Sequence, residues 1–207
     1  MVQSLNMAGI RSAWRLLRQP SLLAPDLAVA DVRAIPFERL RRAGIRHIVF
    51  DKDNCLTAPY VDAIHPPFAE AWRQCRAAFP RGSILIVSNS AGTPDDAGGR
   101  AAVAVERALG VPVLRHAVKK PACAAEVLAA LGARHPREVA VVGDRLATDV
   151  ALANVGGMVA IWTRRIVSEK GDNRAAALLR RLEHAAYDGA CEVRDVRALL
   201  GARLWWW

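Results

Sequence analysis

The chain has 207 residues, 53% of them apolar and 24% charged, a composition that excludes a long disordered protein and gives enough length for one sizeable core. Its four cysteines, Cys55, Cys75, Cys123 and Cys191, show no Cys-x-x-Cys and no histidine at zinc-ligand spacing, which points to a reducing compartment and away from a zinc centre. The formal net charge is +9, carried mostly by arginine; an anionic partner and the arginine enrichment of a GC-rich coding sequence both account for it, and the absence of an aromatic-studded basic stripe argues against nucleic acid.

From the N-terminus, residues 7–18 place Met7, Ile10, Ala13, Trp14, Leu16 and Leu17 on one half of a helical wheel, with Arg11, Arg15 and Arg18 beside them and Pro20 as a stop. Three readings fit this segment: a helix lying in the plane of an anionic membrane, a surface helix docked on the core, or part of an organelle import signal. No stretch reaches the roughly 20 apolar residues of a membrane span, and no apolar run of signal-peptide length opens the chain, so the expectation is a protein that is soluble or lies on a membrane.

An irregular stretch containing Pro25 and Pro36 follows. Short β-branched runs at residues 45–50, 83–87, 139–142 and 158–162 then read as strands. They alternate with helix-like segments over about 66–79, 96–109, 121–132 and 147–155. This alternation predicts an α/β fold, a Rossmann-like parallel sheet covered by helices on both faces. Residues 172–200 read as a polar, Arg-rich helical pair, and the chain ends on Trp205-Trp206-Trp207. The tryptophans suit a bilayer interface, an oligomer contact or a frayed end, and assembly as a homo-oligomer is expected. The resulting division is an N-terminal amphipathic segment (1–40), a catalytic core (41–170) and a C-terminal helical segment (171–207).

In parallel α/β sheets, ligands bind beyond the carboxyl ends of the strands. Three of the expected strands finish there on polar groups: Asp51 and Asp53, Ser88 and Asn89, and Asp144. Two carboxylates one residue apart repel each other unless a cation holds both ionised, and hard oxygen donors favour Mg²⁺. Asp51 fits a carboxylate nucleophile toward phosphorus, and Asp53 a group that protonates the leaving oxygen and then activates water. Ser88 offers a hydroxyl to a phosphoryl oxygen, Lys119 or Lys120 offsets developing charge, and Asp149 either holds a metal-bound water or fixes the lysine. Taken singly each has a plain alternative, a helix cap for the serine and a solvated surface for the lysine pair.

The ordered set Asp51-x-Asp53, Ser88, Lys120-Pro121 and Gly143-Asp144 with Asp149 resembles the four motifs of the haloacid dehalogenase superfamily of phosphatases. The resemblance implies Asp51 as nucleophile, Asp53 as general acid/base, Ser88 as phosphate-binding hydroxyl, and Lys120 as charge-balancing lysine. It further implies Mg²⁺ held by Asp51, Asp144 and the backbone carbonyl of Asp53. The short spacing from Asp53 to Ser88 and from Ser88 to Lys120 leaves no room for a large cap domain, so an open site is expected.

Longer strings narrow the match. Phe50-Asp51-Lys52-Asp53-Asn54-Cys55-Leu56, Val87-Ser88-Asn89-Ser90-Ala91-Gly92-Thr93-Pro94-Asp95-Asp96, Val111-Pro112-Val113-Leu114-Arg115-His116 and Gly143-Asp144-Arg145-Leu146-Ala147-Thr148-Asp149 are similar to the mitochondrial phosphatidylglycerophosphate phosphatases of fungi, algae and plants. That implies hydrolysis of phosphatidylglycerophosphate to phosphatidylglycerol at the matrix face of the mitochondrial inner membrane, or in a plastid. Residues 7–18 would then provide peripheral contact with the anionic membrane. Arg115, His116 and Arg145 are candidates for gripping the headgroup, on charge and nearness to the motifs. A soluble phosphatase of the same superfamily and a catalytically silent scaffold are the competing readings, and the intact acidic motifs speak against the second.

Overall fold

The computed structural model describes residues 18–170 and 174–190. Most of the 7–18 helix, the second helix of the expected tail and the terminal tryptophans lie outside the described residues. Five parallel strands form the sheet: β1 (Leu27–Val29), β2 (His47–Phe50), β3 (Ile84–Ile86), β4 (Val139–Gly143) and β5 (Val159–Thr163). They lie in the order β1-β5-β4-β2-β3. The helices are α1 (Phe37–Arg42), α2 (Ala69–Ala78), α3 (Arg100–Leu109), α4 (Ala124–Leu131), α5 (Ala151–Val155) and α6 (Arg174–Ala190).

Every residue of β3, β4 and β5 is buried, as unbroken apolar runs require when both faces of a sheet are covered. Because successive side chains point to opposite faces, the strands feed two cores. Ile48, Phe50, Ile86, Val142 and Ile161 join the residues of α1, α2 and α3 on one face. Val49, Leu85, Val141, Ala160 and Trp162 join those of α4 and α5, together with Tyr187 of α6, on the other. On the first face Phe50 meets Trp72 edge-on at 5.7 Å and Phe37 at 6.5 Å. In α2, Ala71, Trp72, Cys75 and Ala78 form the buried stripe, the one-sided pattern of a helix laid on a sheet.

Two differences from the sequence expectation stand out. Leu27–Val29 is an edge strand, in parallel register with Ile161, Trp162 and Thr163 of β5, within a stretch that reads as irregular. Its position is imposed from far along the chain: the Asp26 carboxylate accepts the Ala160 N–H at 2.8 Å, and the Asn154 amide donates to the carbonyls of Leu22 and Ala24. Three residues between prolines carry no local signal of such pairing. The core therefore starts before residue 41, and the expected boundary at 40 cuts through the sheet. Likewise α6 is packed on the core, with the rings of His184 and Tyr187 at 4.7 and 4.8 Å from Trp162.

The sheet places the site. β2 lies between β3 and β4, so the chain leaves it to one side for β3 and returns on the other for β4, creating the crevice typical of a topological switch point. The Asp51 N–H continues the ladder to the Val142 carbonyl at 2.8 Å, and the Val87 N–H bonds the Phe50 carbonyl at 2.9 Å. Asp51, Ser88 and Asp144 are thereby brought to one edge. Between Phe50 and Pro66 the chain makes only turns and an isolated bridge of Asp53 to Thr57, and Pro59 and Tyr60 of this stretch line the crevice.

Trp162 is fully buried, and its indole N–H donates to the Asp144 carbonyl at 3.0 Å. Trp162→Ala is expected to cost about 3–5 kcal/mol, read as a lower denaturation midpoint in guanidinium chloride.

Candidate active site

Asp51 extends β2 by one residue, and the Lys120 ammonium reaches it across the crevice. Lys120 Nζ lies 2.6 Å from Asp51 Oδ1 and 2.6 Å from Asp149 Oδ1. The lysine is pinned by its own backbone as well, because its N–H donates to the Asn89 side-chain carbonyl at 2.9 Å. Asn89 thus joins the loop after β3 to the lysine loop. Burial alone would push the Lys120 ammonium toward the neutral form. The charges of Asp149 and Asp51 and the hydrogen bonds to both outweigh it and hold the group above its ordinary range.

Asp149 sits in a single π-helical turn, Leu146–Val150, that follows β4, a local widening often found at functional sites. Its second oxygen accepts the Arg145 N–H at 3.2 Å. Both carboxylate oxygens are therefore engaged, one by the lysine and one by the backbone, which favours the lysine-fixing role over metal ligation. A Cβ at residue 143 would overlap this carboxylate, so Gly143 is required by space.

Asp144, at the end of β4, has one oxygen held by Arg180 of α6, Nε to Oδ2 at 2.7 Å. Its other oxygen, Oδ1, is buried and has no hydrogen-bond partner among the described residues. Burial, and then the charge of Asp51, push the Asp144 carboxyl up to about 8, against the pull of Arg180. Oxygens of Asp51, Asp144 and Asp149 lie within 4.8 Å of one another. Lys120 and Arg180 each hold acids of this cluster, and the orphaned buried Asp144 oxygen beside Asp51 is what a bound divalent cation resolves. The donor set is all oxygen, which fits Mg²⁺.

The Asp53 side chain is not part of this cluster. It accepts the Tyr60 N–H at 2.9 Å and pairs with the buried Lys52 ammonium at 2.7 Å, while Lys52 also donates to the Val61 carbonyl at 2.9 Å. It nevertheless lines the same cleft, of about 380 Å³, as Asp51, Ser88, Asn89, Lys120, Asp144 and Arg145. Ser88 Oγ lies 2.9 Å from Ser90 Oγ and accepts the N–H groups of Ser90 and Ala91 at 3.1 and 3.4 Å, so the turn that caps it also fixes the hydroxyl.

Of the three candidates for the headgroup, only Arg145 lines this cleft. Arg115 forms a two-point pair with Glu106 at 2.6 and 2.9 Å, and with His116 it lines a separate groove bounded by Gly92, Thr93 and Asp96. His116 is buried, its Nε2 3.0 Å from the Ser88 carbonyl and its Nδ1 2.7 Å from the Val118 carbonyl. It braces the serine turn from behind. Nearness in sequence placed Arg115 and His116 near the motifs, but this stretch packs on the Gly92 loop: the His116 N–H bonds the Gly92 carbonyl at 2.9 Å, and the Gly92 backbone, at φ +79, lies so close to the Leu114 carbonyl that a side chain there would overlap it.

Two residues that no sequence motif signals complete the site, both from α6. Arg180 secures Asp144, and the Glu183 carboxylate accepts the N–H groups of Leu146 and Ala147 at 3.0 and 3.1 Å, satisfying the orphan donors at the start of the π turn that carries Asp149. Leu179 and Tyr60 supply apolar wall to the same cleft.

Residues 7–168 match the family model described as mitochondrial PGP phosphatase. The chain belongs to that family. Among curated proteins it is 39% identical over 164 residues to a mitochondrial phosphatidylglycerophosphatase of Saccharomyces cerevisiae, covering 77% of this chain and 88% of that protein. It is 38% identical over 185 residues to a chloroplastic phosphatidylglycerophosphate phosphatase of Chlamydomonas reinhardtii, covering 87% of this chain and 67% of the relative. The same identity and span hold for a chloroplastic/mitochondrial counterpart of Arabidopsis thaliana, of which 53% is covered. No solved structure matches. The family match ends at 168, so Arg180 and Glu183 lie beyond it.

Gly143→Ala tests the packing of the Asp149 carboxylate. The variant is expected to stay folded by circular dichroism while losing about 100-fold in phosphatase kcat, the scale of a displacement near 1 Å at a site, because the shifted carboxylate no longer holds Lys120.

Proposed function

We propose that this member of the family is a Mg²⁺-dependent phosphatase that hydrolyses phosphatidylglycerophosphate to phosphatidylglycerol through a phosphorylated Asp51. The observation that carries the reading is the placement of the Asp51 carboxylate, at the floor of an open cleft with one oxygen on a buried lysine and two further acids beside it.

A cation held by Asp51 and Asp144 would supply positive charge against the phosphoryl oxygens. The rest of the chemistry belongs to the chain. A carboxylate oxygen of Asp51 forms a bond to phosphorus as the bond to the lipid glycerol oxygen breaks, and Asp53, on the same cleft wall, delivers the proton to that leaving oxygen. Lys120 offsets charge on Asp51 while Ser88 Oγ and the turn after β3 receive phosphoryl oxygens. Asp53, now deprotonated, takes a proton from a water that attacks the phosphorus, the bond to Asp51 breaks, and inorganic phosphate leaves. Atoms balance as one phosphomonoester and one water giving one alcohol and one phosphate.

The substrate and the setting follow the relatives, whose names place them in mitochondria or chloroplasts. No helix among the described residues is long and apolar enough to cross a membrane. A peripheral enzyme at the matrix face of the inner membrane or in a plastid, assembled as a homo-oligomer, fits the sequence and its basic charge.

The test compares the native chain with Asp51→Asn on phosphatidylglycerophosphate in mixed micelles. The native protein should release phosphate with Mg²⁺, stop on chelation and recover on readdition, and Asp51→Asn should lose on the order of 10³-fold or more in kcat. Turnover of soluble monoesters with no action on the lipid would refute the substrate. Full activity in Asp51→Asn would refute the mechanism.

A further inference from the structure

The helix α6 is amphipathic in the reverse sense. Its polar and aromatic stripe, Arg180, Glu183, His184 and Tyr187, at helical spacing, faces the protein: Arg180 on Asp144, Glu183 on the turn that bears Asp149, His184 and Tyr187 on Trp162. The leucines are outside, with Leu178 60%, Leu179 49% and Leu182 59% exposed. An ordinary surface helix does the opposite, burying its apolar stripe.

A second apolar feature borders the same cleft. Tyr60 is 72% exposed and Val61 45%. Tyr60 adopts φ +59, a left-handed conformation unusual for a bulky side chain, and its N–H is tied to the Asp53 carboxylate. The backbone there holds an aromatic ring in solvent while it serves the catalytic acid. Tyr60 and Leu179 are at once exposed apolar residues and walls of the catalytic cleft.

We infer that Leu178, Leu179 and Leu182, with Tyr60 and Val61, form a docking rim that sits on an anionic lipid surface and delivers a membrane-anchored phosphomonoester to Asp51. The inference rests on the phospholipid reading above. Its commitment to lipid comes from the position of the rim. A protein covering Tyr60 and Leu179 would close the cleft to substrate, whereas a bilayer in the same place presents it, since acyl chains stay in the membrane while the headgroup enters. The formal charge of +9 complements an anionic surface, and apolar side chains flanked by arginine suit the interfacial layer. Exposed Arg181, beside the leucines, adds to that pattern.

The test uses the full chain and the double variant Leu178→Glu/Leu182→Glu, whose side chains do not line the cleft. Four quantities are measured: hydrolysis of phosphatidylglycerophosphate in phosphatidylcholine/phosphatidylglycerol vesicles, hydrolysis of p-nitrophenyl phosphate, co-sedimentation with vesicles lacking substrate, and mass by light scattering. Vesicle hydrolysis and co-sedimentation should each fall at least about tenfold, with soluble hydrolysis and mass unchanged. Undiminished vesicle hydrolysis or binding overturns the docking rim. So does parallel loss on both substrates, which would make the leucines structural, or a drop in mass, which would make the rim a contact between copies. A native protein that cleaves the soluble ester and ignores the lipid ester refutes the substrate reading alone, and co-sedimentation of native and variant chains still decides the rim.

Discussion

Three carboxylates meet where β2 and β4 end, and their mutual repulsion is the constraint that the surrounding structure answers. With oxygens within 4.8 Å of one another, each pair of full charges costs about 3 kcal/mol or more at an effective dielectric near 20, and burial of Asp144 and Asp149 adds desolvation. Lys120 is set between two of the acids and Arg180 on the third. Every one of these partners arrives from a different part of the chain, so the cluster exists only when the sheet, the lysine loop and α6 are assembled together. Such an arrangement contributes little net stability. Its consequence is positional: the Asp51 carboxylate is fixed at one oxygen, and the neighbouring Asp144 has a single oxygen without a hydrogen-bond partner among the described residues.

The parts of this site that are local in sequence are legible from the residues alone. Strand runs ending in Asp51, Ser88 and Asp144 signal the carboxyl edge of a parallel sheet, and the sheet places them there. The edge strand Leu27–Val29 is not legible, because its pairing partner lies beyond residue 158 and three residues between prolines carry no periodicity. Arg115 and His116 show what nearness along the chain leaves open. Adjacent to a motif and rich in charge, they read as headgroup ligands, yet Arg115 is turned onto Glu106 and His116 props the Ser88 carbonyl. Proximity along the chain fixes a side chain's neighbourhood to a few residues and leaves open which partner it meets.

Arg180 and Glu183 illustrate why positioning residues escape sequence reading. A polar, Arg-rich helix is the signature of a solvated surface, and nothing in its spacing distinguishes an arginine that reaches a buried aspartate from one that reaches water. The information is in Trp162. Its ring receives His184 and Tyr187, its N–H holds the Asp144 carbonyl, and so the same side chain seats the helix and the acid that the helix supports. The motifs at the strand ends lie within the family match, while part of the scaffold that orients them comes from beyond it.

The two faces of α6 connect the chemistry to the docking rim. Polar contacts on the inner face hold the helix against Asp144 and the turn that carries Asp149; lipid on the leucines of the outer face acts on the same rigid element. The helix that carries the exposed leucines is thus the one whose Arg180 steadies Asp144.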